Sequence, residues 1–379
     1  MSTIDITFIL IVLIGFLTGF LGKLPKKIFS LVTVILSVVT AFLTYKMFVG
    51  TILNINVNGT TLKTLLTNMI ESSVGGGSSS EVLKGIVEGV FNILAFYLAL
   101  FASFVIYGII FSIISAIVCK RAKKRTAWKS FGLIGGLTGF IVASVLVFPI
   151  VVLSPVLTNA NKLLSSNKYT TAIQDDSQKS NVLKIGSGIL DKTKGSINFL
   201  KYEVIVDGSI VECNIYDDLK SFINISNVGS NLDRSLSLEG IDSLSDDEIR
   251  TIFEAIDNSE AVKVLFVSAL EETLLEEGIT TDIDFSDIDF SKEADTFITL
   301  KEITSEETIS TEKAIEAMDT LASSKLMIVI ASTQEGALKD IDTETKETME
   351  NKLQEKLVSN EISQSDYDTL MKLFESASA

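Results

Sequence analysis

The sequence predicts an α-helical membrane protein: four transmembrane helices, then a mostly α-helical extracytoplasmic domain with one small β-hairpin. Three observations lead there. Apolar runs long enough to cross a hydrocarbon core, which takes roughly 20 residues, occur in residues 1–154 and not afterwards. Charge divides at the same place: residues 1–154 carry 12 Lys/Arg against 4 Asp/Glu, and residues 155–379 carry 20 against 44. The later part replaces the apolar runs with helix caps, amphipathic periods and a single Asp-Gly turn between β-rich runs. A basic, apolar part followed by an acidic, polar one reads as a membrane domain (1–154), a tether (155–196) and an acidic, mostly helical domain (197–379).

The four runs are 4–21, 28–49, 92–118 and 131–153. The third is the longest. Its approach, Val82-Leu83-x-x-Ile86-Val87-x-x-Val90, has helical spacing, so an amphipathic turn outside the bilayer runs into the span. No basic residue precedes the first run and its basic cluster follows it, which is the wrong order for a cleaved signal; it reads as a retained span.

Loop charge sets the direction. Lys23, Lys26 and Lys27 lie between runs one and two; Lys120, Arg121, Lys123, Lys124, Arg125 and Lys129 lie between runs three and four. Nine of the 12 basic residues of this half thus fall in two loops on one side, and Lys63 and Lys84 are the only basic residues in 50–85. By the positive-inside rule the two loops are cytoplasmic, so the N-terminus and the acidic domain lie outside a bacterial cell membrane. Trp128, the only tryptophan, suits an interfacial anchor beside the second loop.

Glycines mark where helices could approach closely. The first run ends IGFLTGFLGKLPKK, with Gly15, Gly19 and Gly22, and the fourth begins FGLIGGLTGFIV, with Gly132, Gly135, Gly136 and Gly139. The string LTGF occurs in both. Four-residue spacing of small residues lets backbones meet where side chains would hold them apart, so spans one and four are expected to cross here or to use these faces against other neighbours. With Asp5 at the head of the first span and a basic loop running into the Gly132/Gly136/Gly139 span, the N-terminal half resembles the CvpA family, the colicin V production proteins of bacterial inner membranes. The resemblance covers roughly residues 1–153. It implies a four-span integral membrane protein linked to toxin production or export and to envelope upkeep, with no defined reaction.

Ionisable residues near the spans are Asp5, Lys46 and Glu88, all at run ends; none lies at mid-depth, which weighs against an ion pump or proton relay. Asp5 follows Ser2 at capping-box spacing and suits the first turn of a helix, with an Asp5–Lys46 membrane-edge pair as the alternative.

In the acidic domain, KYEVIVDGSIVECNIY predicts a hairpin about Asp207-Gly208. Ser245 and Glu248 form a capping box before IRTIFEAI; further helices are expected over 259–277, 311–321, 325–332, 343–358 and 363–375, the last two forming a helical hairpin over about 343–376.

Catalytic chemistry finds little support. The chain has no histidine, which removes Ser-His-Asp and Cys-His sets and His-ligated zinc. Cys119 and Cys213 are expected on opposite sides of the membrane, unpaired. Asp282, Asp284, Ser286 and Glu293 imitate a calcium loop, but the sixth position is Asp287 where the loop needs glycine, and a solvated acidic edge is the stronger reading. Gly75-Gly76-Gly77 opens a flexible linker with no phosphate-binding Lys-Ser/Thr behind it. The expectation is a non-enzymatic scaffold or accessory factor with no cofactor and no nucleic acid. Its partners are the lipid bilayer, other membrane or envelope proteins, and a further copy of itself. A transporter or channel component, and a receptor binding a protein or cation through its acidic domain, are the alternatives.

Overall fold

A computed structural model describes residues 1–20, 24–57, 59–74, 78–121, 128–163, 166–206, 208–228, 244–276, 288–304, 310–332 and 342–374. It is mostly helical and divides into two compact units, Met1–Ile223 and Asn224–Ala379.

The first unit is built on α1 (Thr3–Phe20), α2 (Leu24–Leu53), α4 (Ser78–Arg121) and α5 (Trp128–Val152). Three stretches are long and apolar enough to cross a membrane: Lys26–Leu53, Ser80–Val118 and Leu133–Val152. α1 is apolar over Thr3–Leu17 and stands outside that group, so the described residues hold three membrane-length helices where four are expected. These helices bury one stripe and leave apolar side chains outward, among them Ile14 at 58%, Phe101 at 68% and Ile113 at 59% exposure. An apolar exterior of that extent is what lipid solvates and water does not.

α2 packs along α4, and α1 along α5. The hydroxyls on the packed stripe of α2 bond within the helices. Thr33 Oγ1 donates to Phe29 O (2.8 Å), Ser37 Oγ to Thr33 O (2.7 Å) and Thr44 Oγ1 to Thr40 O (2.8 Å), while Thr40 Oγ1 meets the Tyr107 hydroxyl at 3.0 Å. Between α2 and α4 lie a two-residue antiparallel ladder, β1 (Asn56–Val57) with β2 (Thr60–Thr61), and α3 (Leu62–Val74). α4 has 44 residues, about 66 Å of helix, so it outruns any bilayer by several turns.

The segment read from its composition as a tether is folded onto these helices. It forms α6 (Ser154–Thr158), α7 (Ala160–Leu163), α8 (Lys168–Lys179) and α9 (Asn181–Thr193). α8 begins with a capping box from Asn167 and Thr170. After a 3₁₀ turn over Asn198–Leu200, β3 (Lys201–Val206) and β4 (Ser209–Asn214) pair antiparallel from Lys201↔Asn214 to Val206↔Ser209. Gly208 has φ +82°, a left-handed conformation that favours glycine in so tight a turn. α10 (Ile215–Val228) follows. The boundary of the first unit therefore falls at Ile223, not near residue 154, because the tether and hairpin bury their apolar side chains against the membrane-length helices.

The second unit is helical throughout its described residues: α11 (Asp246–Asp257), α12 (Glu260–Glu276), α13 (Phe290–Thr304), α14 (Thr311–Ala322), α15 (Lys325–Ser332), α16 (Thr343–Val358) and α17 (Gln364–Met371). Ser245 and Glu248 cap α11 reciprocally. Asp257 at the end of α11 accepts from the backbone N–H groups of Phe290 (3.0 Å) and Ser291 (2.6 Å), capping α13 from a neighbouring helix. Met318, Ile328, Met349, Leu353, Leu370 and Phe374 join α14 to α17 in one core. Lys356 crosses from α16 to Asp319 (2.8 Å) and Glu361 (3.1 Å).

Candidate functional site

A buried polar clamp surrounds Asp5, 3% exposed at the head of α1. Its own backbone N–H donates to Ser2 Oγ at 3.0 Å, the local cap that the S-T-I-D spacing sets up. Its carboxylate serves a different helix. Oδ1 accepts from Ser180 Oγ (2.8 Å) and the Val182 N–H (2.9 Å), and Oδ2 from the Asn181 N–H (3.2 Å). The two N–H donors are unsatisfied groups of the first turn of α9 and the hydroxyl belongs to its N-cap residue, at a helix end whose dipole also favours negative charge. Ser180 completes the cap by accepting from the Leu183 N–H at 3.2 Å. A second strand of the same clamp runs from the Thr3 N–H to Asp176 Oδ1 at 2.7 Å. Lys46 stands exposed on α2 and makes no ion pair with Asp5 among the described residues.

Beside the clamp, α1 and α5 cross on glycine. A Cβ built on Gly15 would lie 2.6 Å from Gly139 Cα and 2.8 Å from Gly135 O; one on Gly139 would lie 3.0 Å from Gly15 Cα. Gly136 sits under the Phe16 ring, where a Cβ would lie 3.3 Å from Phe16 Cδ2, tighter than an ordinary contact. Backbone meets backbone here, so no other residue fits without pushing the helices apart. Gly19, Gly132, Lys120, Arg121 and Lys129 lie within α1, α4 and α5, whereas Gly22, Lys23, Lys123, Lys124 and Arg125 fall outside the described residues. Lys26 and Lys27 stand in the first turn of α2.

The third fastening is aromatic. Phe199, 2% exposed in the 3₁₀ turn, stacks on Phe96 of α4 with ring centroids 4.2 Å apart. It also meets Phe42 of α2 at 5.3 Å and Phe148 of α5 at 5.5 Å, so one ring from the turn that leads into the hairpin plugs the junction of three long helices. Tyr45 donates its hydroxyl to Asn198 O at 3.2 Å.

The hairpin then lies on α4. Asn92 Nδ2 donates to Lys201 O at 3.0 Å. Gly85 and Gly89, four residues apart, flatten the helix beneath the Tyr202 ring; a Cβ on either would come within 2.7 or 2.9 Å of that ring. Tyr202 donates its hydroxyl to Asp218 Oδ2 at 2.7 Å in a buried bond, and burial together with the facing carboxylate pushes the phenol far above its ordinary range. Burial and the nearby Asp191 and Asp217 carboxylates push Tyr216 up to about 12. These phenols stay protonated and act as donors that hold the joint together.

Neither Gly85 nor Gly89 was singled out by the sequence reading, although their spacing is the same as that of Gly15 and Gly19. Phe199 carried no signal at all, because its partners lie 51 to 157 residues away in sequence. The calcium-like stretch Asp282 to Asp287 falls outside the described residues. Glu293, its last member, accepts a hydrogen bond from Ser324 Oγ, and burial raises its carboxyl above the usual glutamate range. No family model matches the chain, and neither the curated proteins nor the solved structures contain a match to it.

Proposed function

We propose that the chain is a four-span, CvpA-like membrane protein of the bacterial cell membrane that acts without catalysis, as a scaffold or accessory factor in export or envelope maintenance. The Asp5–Ser180 contact carries the topological half of this reading. Crossings by α2, α4 and α5 alone leave residues 5 and 180 on opposite faces of the membrane. A fourth crossing, by α1, returns them to the same face, where the clamp can form. The positive-inside rule then assigns that face to the exterior, together with the acidic C-terminal unit.

The polar groups support the functional half. The clamp, the Tyr202–Asp218 bond and the α2 hydroxyls spend their hydrogen-bonding capacity on holding the unit together. That is the economy of an anchor, and it favours the scaffold over a transporter. Reporter fusions after Ser130 and after Asn161 test the topology: the first should report a cytoplasmic and the second an extracytoplasmic position, and the reverse pattern overturns it. A photocrosslinker at Leu275 or Val358, apolar side chains 69% and 73% exposed in the acidic unit, should capture a defined envelope protein in cells. Ion or solute flux into liposomes holding the purified chain, with no captured protein, transfers the assignment to the transporter reading.

A further inference from the structure

We infer that the cleft between α2 and α4 is a binding site for one anionic phospholipid, with its phosphate at Lys26 and Lys27 and an acyl chain along the apolar floor. Two cavities lie end to end along the same pair of helices and share Phe104. The first, of about 480 Å³, is lined by Lys26, Lys27, Ser30, Thr33 and Ser112 with the Phe29 and Phe111 rings as its wall. Those rings stack with centroids 5.6 Å apart. The second, of about 280 Å³, is lined by Val34, Val38, Leu100, Phe101 and, from α5, Val142 and Leu146.

Polarity thus falls along the cleft in one direction: two ammonium groups and hydroxyls at the helix end, then hydrocarbon. Neither lysine has an ion pair among the described residues. From Lys27 to Val38 the helix rises about 16 Å, close to half of a hydrocarbon core of about 30 Å. The cleft therefore has the depth of one leaflet, with its cations at headgroup level, as basic pockets between membrane helices have when they hold anionic lipid. A free phosphate would use the first cavity and leave the second without purpose; an uncharged lipid would leave both ammonium groups unanswered. The inference depends on α2 and α4 lying in a bilayer and not on the scaffold reading.

Native mass spectrometry of the full chain in detergent tests it, with phosphatidylglycerol, phosphatidylcholine of the same chains, and inorganic phosphate as probes. Phosphatidylglycerol should be retained at one per chain, in preference to phosphatidylcholine and undisturbed by millimolar phosphate. Lys26→Ala with Lys27→Ala should weaken it about 30-fold and abolish the preference, from about 1 kcal/mol per cation near an anionic surface. Lys46→Ala with Lys63→Ala removes equal charge from exposed positions outside the cleft and should leave binding as it was. Equal retention of the two lipids by the unaltered chain overturns the inference, as does an unaffected Lys26/Lys27 double variant. Competition by inorganic phosphate overturns the lipid and leaves an anion site alone.

Discussion

Removing the Asp5 carboxylate should release α9 from α1 and leave the rest of the chain folded. Asp5→Ala deletes the acceptor for Ser180 Oγ and for the Asn181 and Val182 N–H groups, all at 2.8–3.2 Å. Hydrogen bonds to a charged group are worth about 1.5–3 kcal/mol each when the partners are left unsatisfied, but three on one carboxylate do not add, and water re-solvates part of an opened turn. A net loss of about 2–4 kcal/mol follows, which is the scale of a buried cap together with its dipole term. Since 1.4 kcal/mol is a factor of ten, local opening of α9 should become about 30- to 700-fold more frequent. Hydrogen exchange read by mass spectrometry on peptides covering 181–193 measures this directly. Peptides from 246–374 serve as the control and should not change. Asp5→Asn keeps an oxygen for Ser180 and Val182 but turns an amide donor towards Asn181, so its effect should be smaller than that of Ala. Unchanged exchange over 181–193 in Asp5→Ala would refute the clamp.

Gly15→Leu should separate α1 from α5, because even a Cβ lands 2.6 Å from Gly139 Cα; cysteine crosslinking between the two helices should fall, while Gly50→Ala, with nothing within 4 Å, should leave it intact. Phe199→Ala should cost about 3–5 kcal/mol, the range for a fully packed ring, and expose 166–223 to proteolysis in detergent; resistance equal to that of the unaltered chain removes the plug from the account. Glu293 titrates above its ordinary value near 4.5 because it is buried, so the folded chain holds that proton more tightly than the unfolded chain. Stability from this group therefore rises as pH falls from neutral through the raised value, and it levels off below the unfolded one. Glu293→Gln, which still accepts from Ser324, should stabilise the chain at neutral pH and flatten that slope in denaturant titrations; an unaltered slope would show that Glu293 is not its source.

Local signals in the sequence were readable wherever the partner lay within a turn or two. The Asp-Gly hairpin and the Ser245–Glu248 box are such cases: short-range chemistry decides them, and the structure has both. Long apolar stretches were equally plain, since composition alone gives them. The status of 155–196 was not readable. Its Asn, Ser and Thr content looks like a linker, and what makes it structure is Asp5, 175 residues from Ser180; just beyond it, the sockets for Phe199 fasten the chain to the long helices. The glycines show the same division. Four-residue spacing announces a flat helix face at Gly15 and at Gly85, but only the fold reveals that one receives a backbone and the other a tyrosine ring.

The Asp5 clamp also imposes a timetable on synthesis. Ser180 is made 175 residues after Asp5. At roughly 5–20 residues per second, the head of α1 waits about 10–35 s for the helix it must cap. In that interval Ser2 is the partner within reach, and its hydroxyl already holds the Asp5 backbone at 3.0 Å. The final closure is thus a late, non-local step, and until it occurs the carboxylate at the head of α1 lacks the three donors of α9. A quality-control protease or chaperone that reads that end of the molecule would meet different chemistry before and after residue 182 arrives.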